Sequence, residues 1–337
     1  MMPETTSPAP HEQILNIVMG FWQSRALAVA TELELADFLA DGPLPTDTLA
    51  SRTKTDCASL FRLMRALESI GVFKQVSPCV FANTPASECL RKSVAGSQWA
   101  IVRTVLSVGY GQYEAWAGLL GSIQTGGPAF DQIFGCSAWE WYQRDPQIRS
   151  VFNETMRSVS AAVTPVVTAS FDWGRFPLIA DIGGGIGDQL MDILNAHPSC
   201  RGILFDQPEV VAGAIRHERV EPIGGDFFKS APMGADAYTL RRIIHDWADP
   251  EAMIILKNVR QAMKPDSRLV LIEEVVPDLP KPTFGMWLDP HMLVIHGGLE
   301  RTANEYRELL ARCGFELEQI VQTASPPSLI IGRPRIA

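Results

Sequence analysis

The segment TLRRIIHDWADPEAMIILKNV, Thr239 to Val259, sets a histidine, an acid and a tryptophan (His245, Asp246, Trp247) where a short apolar run gives way to a helix. Asp249 reads as the helix cap, with Pro250 in the first turn. Turns at strand ends usually favour Gly, Asn or Ser, so His-Asp-Trp at this point asks for a chemical reason. A histidine titrates near ~6.5 and can take a proton at neutral pH. A lone histidine at a helix entry is by default a structural hydrogen-bonding group, so His245 needs partners before it becomes a base.

A second feature lies upstream. DIGGGIGDQL carries Gly183, Gly184, Gly185 and Gly187 directly after an apolar run. Residues without a Cβ let a strand-to-helix turn tighten and let the backbone approach a ligand. The dinucleotide fingerprint G-x-G-x-x-G, started at Gly183, fails because its last position falls on Asp188. The spacing is G-x-G-x-G with Asp181 just before it, the form associated with S-adenosylmethionine (SAM). Asp206 ends the next apolar run, GILFD, where a carboxylate can accept both hydroxyls of a ribose. Loop and acid together suit NAD as well as SAM. A hydride-transfer enzyme needs its own catalytic groups, and no tyrosine here has a lysine four residues on.

These residues sit on alternating strands and helices that begin near Phe171. LIADI (178–182), GILFD (202–206), DAYTLRRII and RLVLIEE (268–274) read as strands, with a helix from the glycine turn through Ala196. ERTANEYRELLARCGF is a helix with Thr302 and Glu305 as a capping box and Gly314 as its stop, and FELEQIVQ and SLIIG close the chain as two antiparallel strands. This is a doubly wound α/β sheet. Before it, residues 101–170 are helical and rich in large side chains, among them Trp139, Tyr142, Phe152 and Met156. Most are core by default, and a few suit the wall of a flat apolar cavity.

Residues 11–100 read as a small winged helix. Leu60, Leu63, Met64 and Leu67 share a helix face, Asp56 caps that helix, and VFKQVSPCVFANT folds as two short strands about a Ser-Pro turn. Winged helices often bind DNA, with Arg62 and Arg65 on the reading helix here. Acids slightly outnumber bases across residues 1–100, and the whole 337-residue chain has a net charge of −9, so packing or dimerisation is favoured over nucleic-acid binding. Six cysteines without a C-x-x-C argue against a zinc site and a disulfide framework, and suit a reducing cytoplasm. The polar start shows no signal-peptide pattern, and no run reaches the ~18 apolar residues of a membrane span.

DIGGGIG, LFDQPEVV, GGDFF, RRIIHDWAD, LVLIEEVVP and GGLERTANEYRELLARCGF occur in the order that marks one family. The chain resembles the SAM-dependent O-methyltransferases of the caffeic-acid type, which include bacterial methyltransferases of phenazines, anthracyclines and naphthoates, and it does so over nearly its whole length. The resemblance implies a winged-helix-like dimerisation domain (11–100), a helical substrate-pocket region (101–170) and a Rossmann-like SAM domain (171–337). It implies a homodimer, SAM as cofactor with S-adenosylhomocysteine as product, and a small aromatic substrate. Asp181, Gly183 and Gly185 then face the cofactor tail, Asp206 the ribose, and Gly225, Asp226 and Phe227 the adenine, with Arg241 near the cofactor. His245 matches the catalytic base, Glu273 and Glu300 the two acids that flank and orient it, and Asp246 a substrate contact. Phe152, Met156 and Met292 match pocket walls. Trp139, Trp141 and Tyr142 depart from the family pattern and favour a polycyclic or heteroaromatic acceptor. The segment from Met292 to Gly297 is shorter than in plant members, so one polar substrate contact there has no counterpart.

The chemistry fits those residue types. A phenol has a pKa near ~10 and is a poor nucleophile while neutral. A histidine at the carboxyl edge of the sheet can take its proton during attack, and a carboxylate on the other ring nitrogen would fix the tautomer. The remaining contribution is alignment, and no metal is needed. N- or C-methylation, a non-methylating relative and a winged-helix DNA-binding regulator are the rival readings.

Overall fold

Residues 9–279 and 282–335 are described by a computed structural model. The polar lead before Ala9 lies outside the described residues. The chain divides into two units: residues up to Glu114 with Trp139–Ser158, and Ala115–Ala138 with everything from Val159 onward.

In the first unit, helices Pro10–Glu32, Thr46–Thr53 and Cys57–Glu68 precede a hairpin of Phe73–Ser77 and Val80–Asn83, which Leu44–Pro45 extends to three antiparallel strands. The Asp56 carboxylate accepts the Ser59 N–H at 2.8 Å and caps its helix as the sequence predicts. The apolar face of that helix buries Leu60, Met64 and Leu67 fully and Leu63 in part, against Leu35, Leu49, Phe73 and Phe81. This is a winged-helix arrangement built around one small core. Helix Trp99–Leu106 and the first half of helix Pro146–Ala169 complete the unit, and a buried Thr104–Thr155 hydroxyl pair at 2.8 Å links them.

The second unit is built on seven strands: β1 (Leu178–Ile182), β2 (Arg201–Asp206), β3 (Val220–Gly224), β4 (Ala237–Arg241), β5 (Arg268–Glu273), β6 (Phe315–Gln322) and β7 (Ser328–Pro334). Their spatial order is β6-β7-β5-β4-β1-β2-β3. β1 to β5 run parallel, and β7 lies antiparallel to both β5 and β6. Alternate residues feed opposite faces, as a strand requires: Ala180 and Ile182 join a core with Phe205, Leu240, Ile255 and Tyr306, while Ile179 joins Leu190, Leu204 and Ile272 on the other side. Strand β3 was not located from the sequence. Its sequence, VEPIG, holds a proline and stays half-exposed, which suits only an edge position.

The strand order reverses between β1 and β4, so the crevice for a ligand lies beyond their carboxyl ends. The glycine loop leaves β1 there, and the segment with His245 leaves β4. The helix after β4 spans Asp249–Ala262, and its cap position is Ala248, not Asp249. The Asp249 carboxylate is drawn instead to Arg301 (2.9 Å) and Arg312 (3.1 Å). Among the described residues, no helix is long and apolar enough to cross a membrane.

Candidate active site

The glycine loop is held in a shape that side chains resist. Gly183, Gly185 and Gly187 have φ of +69°, +61° and +98°. A Cβ on Gly183 would stand 2.5 Å from Ile243 Cδ1, and one on Gly184 2.5 Å from Leu204 Cδ1, so both are packed against the sheet. At Gly185 a Cβ would meet nothing within 4 Å, so this residue faces open space. Its N–H donates to Asp206 Oδ2 at 2.8 Å, and the Gln207 N–H donates to Oδ1 at 2.7 Å. Burial pushes the Asp206 carboxyl up, and those two N–H groups pull it back. Under the loop, the buried Asp181 accepts the Thr239 hydroxyl at 2.7 Å, while its Oδ2 has no partner among the described residues. Burial raises Asp181 to about 6. An open backbone edge beside a half-buried carboxylate fits a ligand with ribose hydroxyls.

The far end of the crevice is aromatic. A Cβ on Gly225 would fall 2.3 Å from the Phe205 ring, so only glycine fits. Asp226 Oδ1 accepts the Phe228 N–H at 2.9 Å, and Lys229 pairs with its Oδ2 at 3.1 Å. The backbone bond, first, and the lysine hold that carboxyl below its ordinary range. Phe227, Phe228 and Trp247 form an edge-to-face cluster, with 4.8 Å between the Phe228 and Trp247 rings, so Trp247 anchors the loop by packing. Arg241 turns to neighbouring helices: it donates to Thr164 Oγ1 (2.7 Å), Gln189 Oε1 (3.1 Å) and the Ser160 carbonyl (3.4 Å). Burial lowers it to about 10.

His245 lies on a short 3-10 turn, Ile244–Asp246, just past Arg242, whose φ is +51°. The ring is buried, and its Nδ1 lies 2.6 Å from Glu300 Oε1. Glu273, fully buried at the end of β5, is not equivalent. Its Oε1 accepts the Ile243 and Ile244 N–H groups at 3.1 and 2.8 Å, and its Oε2 stands 4.0 Å from His245 Nδ1. Of the two flanking acids expected from the resemblance, Glu300 therefore bonds the ring and Glu273 bonds the backbone that carries it. Asp246 Oδ1 lies 3.5 Å from the other ring nitrogen, Nε2. Burial pushes all three acids up, Glu300 to about 8 and Glu273 and Asp246 to about 7. The positive charge of Arg242 opposes it at Glu300, and the neighbouring His245 opposes it at the other two.

The segment after His296 closes on this turn. The Leu299 N–H donates to the His245 carbonyl at 3.0 Å, and a Cβ on Gly298 would lie 2.0 Å from that oxygen. Arg301, buried next to Glu300, bonds the carbonyls of Ile244 and Trp247. Sequence reasoning passed over both Gly298 and Arg301. Their signal was adjacency to Glu300 inside one motif, GGLERT.

The other expected residues fall in two groups. Met292 is buried on helix Gly285–Ile295. His291, on the same helix, accepts the Trp116 indole N–H at 3.0 Å, and burial lowers it to about 4 and His296 to about 3. Both are neutral packed histidines. In the first unit, Tyr142 is buried and stacks on Phe152 (4.2 Å between centroids, 16° between planes), with Trp139 edge-on to Phe152 at 6.1 Å. The Gln112 amide donates to the Tyr142 hydroxyl at 2.8 Å. Trp139 and Met156 remain 37% and 42% exposed, so this cluster offers an aromatic and thioether surface.

Two family models match the chain: an O-methyltransferase domain over residues 116–316 and an O-methyltransferase dimerisation domain over residues 15–93. A phenazine O-methyltransferase (PhzM) of Lysobacter antibioticus is 38% identical over 95% of this chain and 95% of its own. An 8-amino-8-demethylriboflavin N,N-dimethyltransferase of Streptomyces davaonensis is 35% identical over 86% of each. Among solved structures, an O-methyltransferase (NcsB1) of neocarzinostatin biosynthesis, in complex with SAM and 2-hydroxy-5-methyl naphthoic acid, superposes with a TM-score of 0.81. It is 29% identical, over 92% of this chain and 95% of that one. The chain is a member of the O-methyltransferase family, an enzyme that uses S-adenosylmethionine and carries an N-terminal dimerisation domain.

Proposed function

We propose that this enzyme methylates a hydroxyl of an aromatic secondary metabolite, polycyclic or heteroaromatic in kind, by in-line transfer with His245 as general base. The observation that carries this reading is the 2.6 Å contact between His245 Nδ1 and Glu300, in a ring buried at the carboxyl edge of the sheet. A carboxylate on Nδ1 favours the tautomer with the proton there, which leaves Nε2 bare. Nε2 can then take the proton of a phenol as its oxygen attacks, and Glu300 stabilises the imidazolium that forms. SAM, when bound, supplies a methyl group already activated by a positively charged sulfur. In this reading Asp181, Gly183 and Gly185 border the cofactor tail, with Arg241 bracing the helices behind it. Asp206 holds the ribose, and Gly225, Asp226 and Phe227 border the adenine.

Asp246 and Met292 are proposed acceptor contacts, as is the surface of Trp139, Tyr142, Phe152 and Met156. We also propose three functional segments: 11–100 for pairing, 101–170 for the acceptor and 171–337 for cofactor and chemistry. The pairing partner is a second copy. Helix Pro10–Glu32 exposes Ile14, Leu15, Ile17, Val18, Phe21 and Trp22, each more than half, which is unusual for an unpartnered surface.

N-methylation is the second reading, because one relative is an N,N-dimethyltransferase. A neutral amine brings its own lone pair and needs no base, so the buried histidine–glutamate pair favours a hydroxyl. A panel of hydroxyphenazines, hydroxynaphthoates and simple phenols, each with its amino analogue, separates the two when offered with methyl-labelled SAM. Label in a hydroxy compound and not in its amino analogue is expected. Label confined to the amines overturns the proposal.

A further inference from the structure

Arg301 is 1% exposed, yet every one of its five guanidinium protons has an acceptor. Nε donates to Asp249 Oδ1 at 3.2 Å. One terminal nitrogen donates to the Ile244 carbonyl (3.2 Å) and the Leu299 carbonyl (3.5 Å). The other donates to the Trp247 carbonyl (3.0 Å) and Asp249 Oδ1 (2.9 Å). Four of these five bonds end on Ile244, Trp247 and Asp249, the residues that bracket His245 and Asp246. The fifth is on Leu299, whose N–H in turn holds the His245 carbonyl.

The backbone around Arg301 gives it a fixed base. Arg301 and Thr302 pair in parallel with Val275 and Val276, just past Glu273 on the extension of β5. The start of one short strand therefore places Arg301 on the histidine loop, with Glu300, the residue before it, on the histidine ring. We propose that Arg301 is a positioning residue for methyl transfer: it clamps Ile244–Asp249 so that His245 keeps Nδ1 on Glu300 and Nε2 free. The inference rests on the reading of His245 as the base. Buried arginines of this kind act through geometry, because the planar fork fits several carbonyls at once, which a lysine cannot do. Burial raises the Glu300 carboxyl, and the charges of Arg242 and, after it, Arg301 oppose that push.

The test reads the ring itself and needs no acceptor. The full-length protein is labelled with ¹⁵N-histidine and saturated with S-adenosylhomocysteine. The His245 ring nitrogens are assigned by their disappearance in His245→Asn and observed in wild type, Glu300→Gln, Arg301→Lys and Arg301→Ala. Wild type is expected to show a protonated Nδ1 and a bare Nε2. Both Arg301 variants are expected to show a mixture of the two tautomers while still binding S-adenosylhomocysteine within about threefold of wild type. If Arg301→Ala does not fold, Arg301→Lys carries the test, because it keeps the charge and removes only the fork. Arg301 lines a groove of about 310 Å³ together with Asp249, Leu299, Leu309 and Arg312, so added guanidinium should restore the single tautomer in Arg301→Ala.

A wild-type ring pattern in both variants overturns the proposal, and so does a protonated Nε2 in wild type. Methyl transfer by His245→Ala is measured separately. An active His245→Ala defeats the base assignment whatever the tautomer spectra show. An inactive His245→Ala with unchanged spectra in the Arg301 variants defeats the clamp alone.

Discussion

His245 Nδ1 and Glu300 Oε1 lie 2.6 Å apart, while Glu273, the other acid near that nitrogen, stands off at 4.0 Å. The two glutamates therefore have different work. Glu300→Gln removes a charge-assisted bond to the ring, worth ~1.5–3 kcal/mol, so methyl transfer should slow on the order of 10- to 100-fold. Glu273→Gln keeps an oxygen for the Ile243 and Ile244 N–H groups and should slow it by less than about tenfold. Single-turnover rates with saturating SAM compare them. A larger loss for Glu273→Gln would reverse the assignment of the two acids.

Glu273 also predicts a pH effect on stability. Burial raises its carboxyl to about 7 in the folded protein, against 4.5 for the free group. A raised acid favours the fold fully below pH 4.5, and that contribution is lost as pH rises through about 7. Glu273→Gln removes the loss. Its melting temperature relative to wild type should climb between pH 4.5 and 7 and level off above. A difference that stays flat across this range contradicts the assignment of a protonated, desolvated carboxyl.

Asp206 ties the glycine loop through the Gly185 N–H and is the proposed ribose acceptor. Asp206→Ala should weaken SAM binding about 10- to 100-fold by calorimetry, the cost of one or two charge-assisted bonds. Asp206→Asn should fall between the two. Unchanged affinity in Asp206→Ala would remove Asp206 from the cofactor site.

Gly298 has no room for a side chain, since a Cβ would stand 2.0 Å from the His245 carbonyl oxygen. Gly298→Ala must push the two segments apart, at a cost of ~1–3 kcal/mol. The displaced element is the histidine loop, so turnover should drop while SAM affinity holds. Equal turnover in the variant would mean that the loop tolerates the shift.

The exposed apolar stripe on helix Pro10–Glu32 gives a prediction about assembly. Trp22, 63% exposed, and Phe21, 56% exposed, are suited to cover by a second copy. Phe21→Glu with Trp22→Glu should convert a dimer to a monomer by light scattering, with the α/β unit still able to bind SAM. A dimer that survives both charges is built on another surface.

Much of this was legible in the sequence, and the gaps have physical reasons. The strands of the sheet centre announced themselves because both faces are buried, as LIADI and RLVLIEE show. Edge strand β3 did not, because VEPIG is half-exposed and holds a proline. His245, Glu273 and Glu300 could be named from motifs, but their division of labour depends on which oxygen meets a backbone N–H across β4 and β5. Spacing along the chain does not carry that information. Asp249 looked like a cap from its position before Pro250, and a buried arginine 52 residues later claimed it instead. Arg301 itself went unnoticed because a charged residue in a surface-like motif reads as solvated until its burial is seen.

The most direct test of the account is methyl transfer from labelled SAM to an accepted phenol by wild type and His245→Ala, with SAM affinity measured on both. The account predicts that the variant binds SAM as wild type does and transfers methyl on the order of 10²- to 10⁴-fold more slowly, the usual contribution of a general base. Transfer at the wild-type rate by His245→Ala would contradict it.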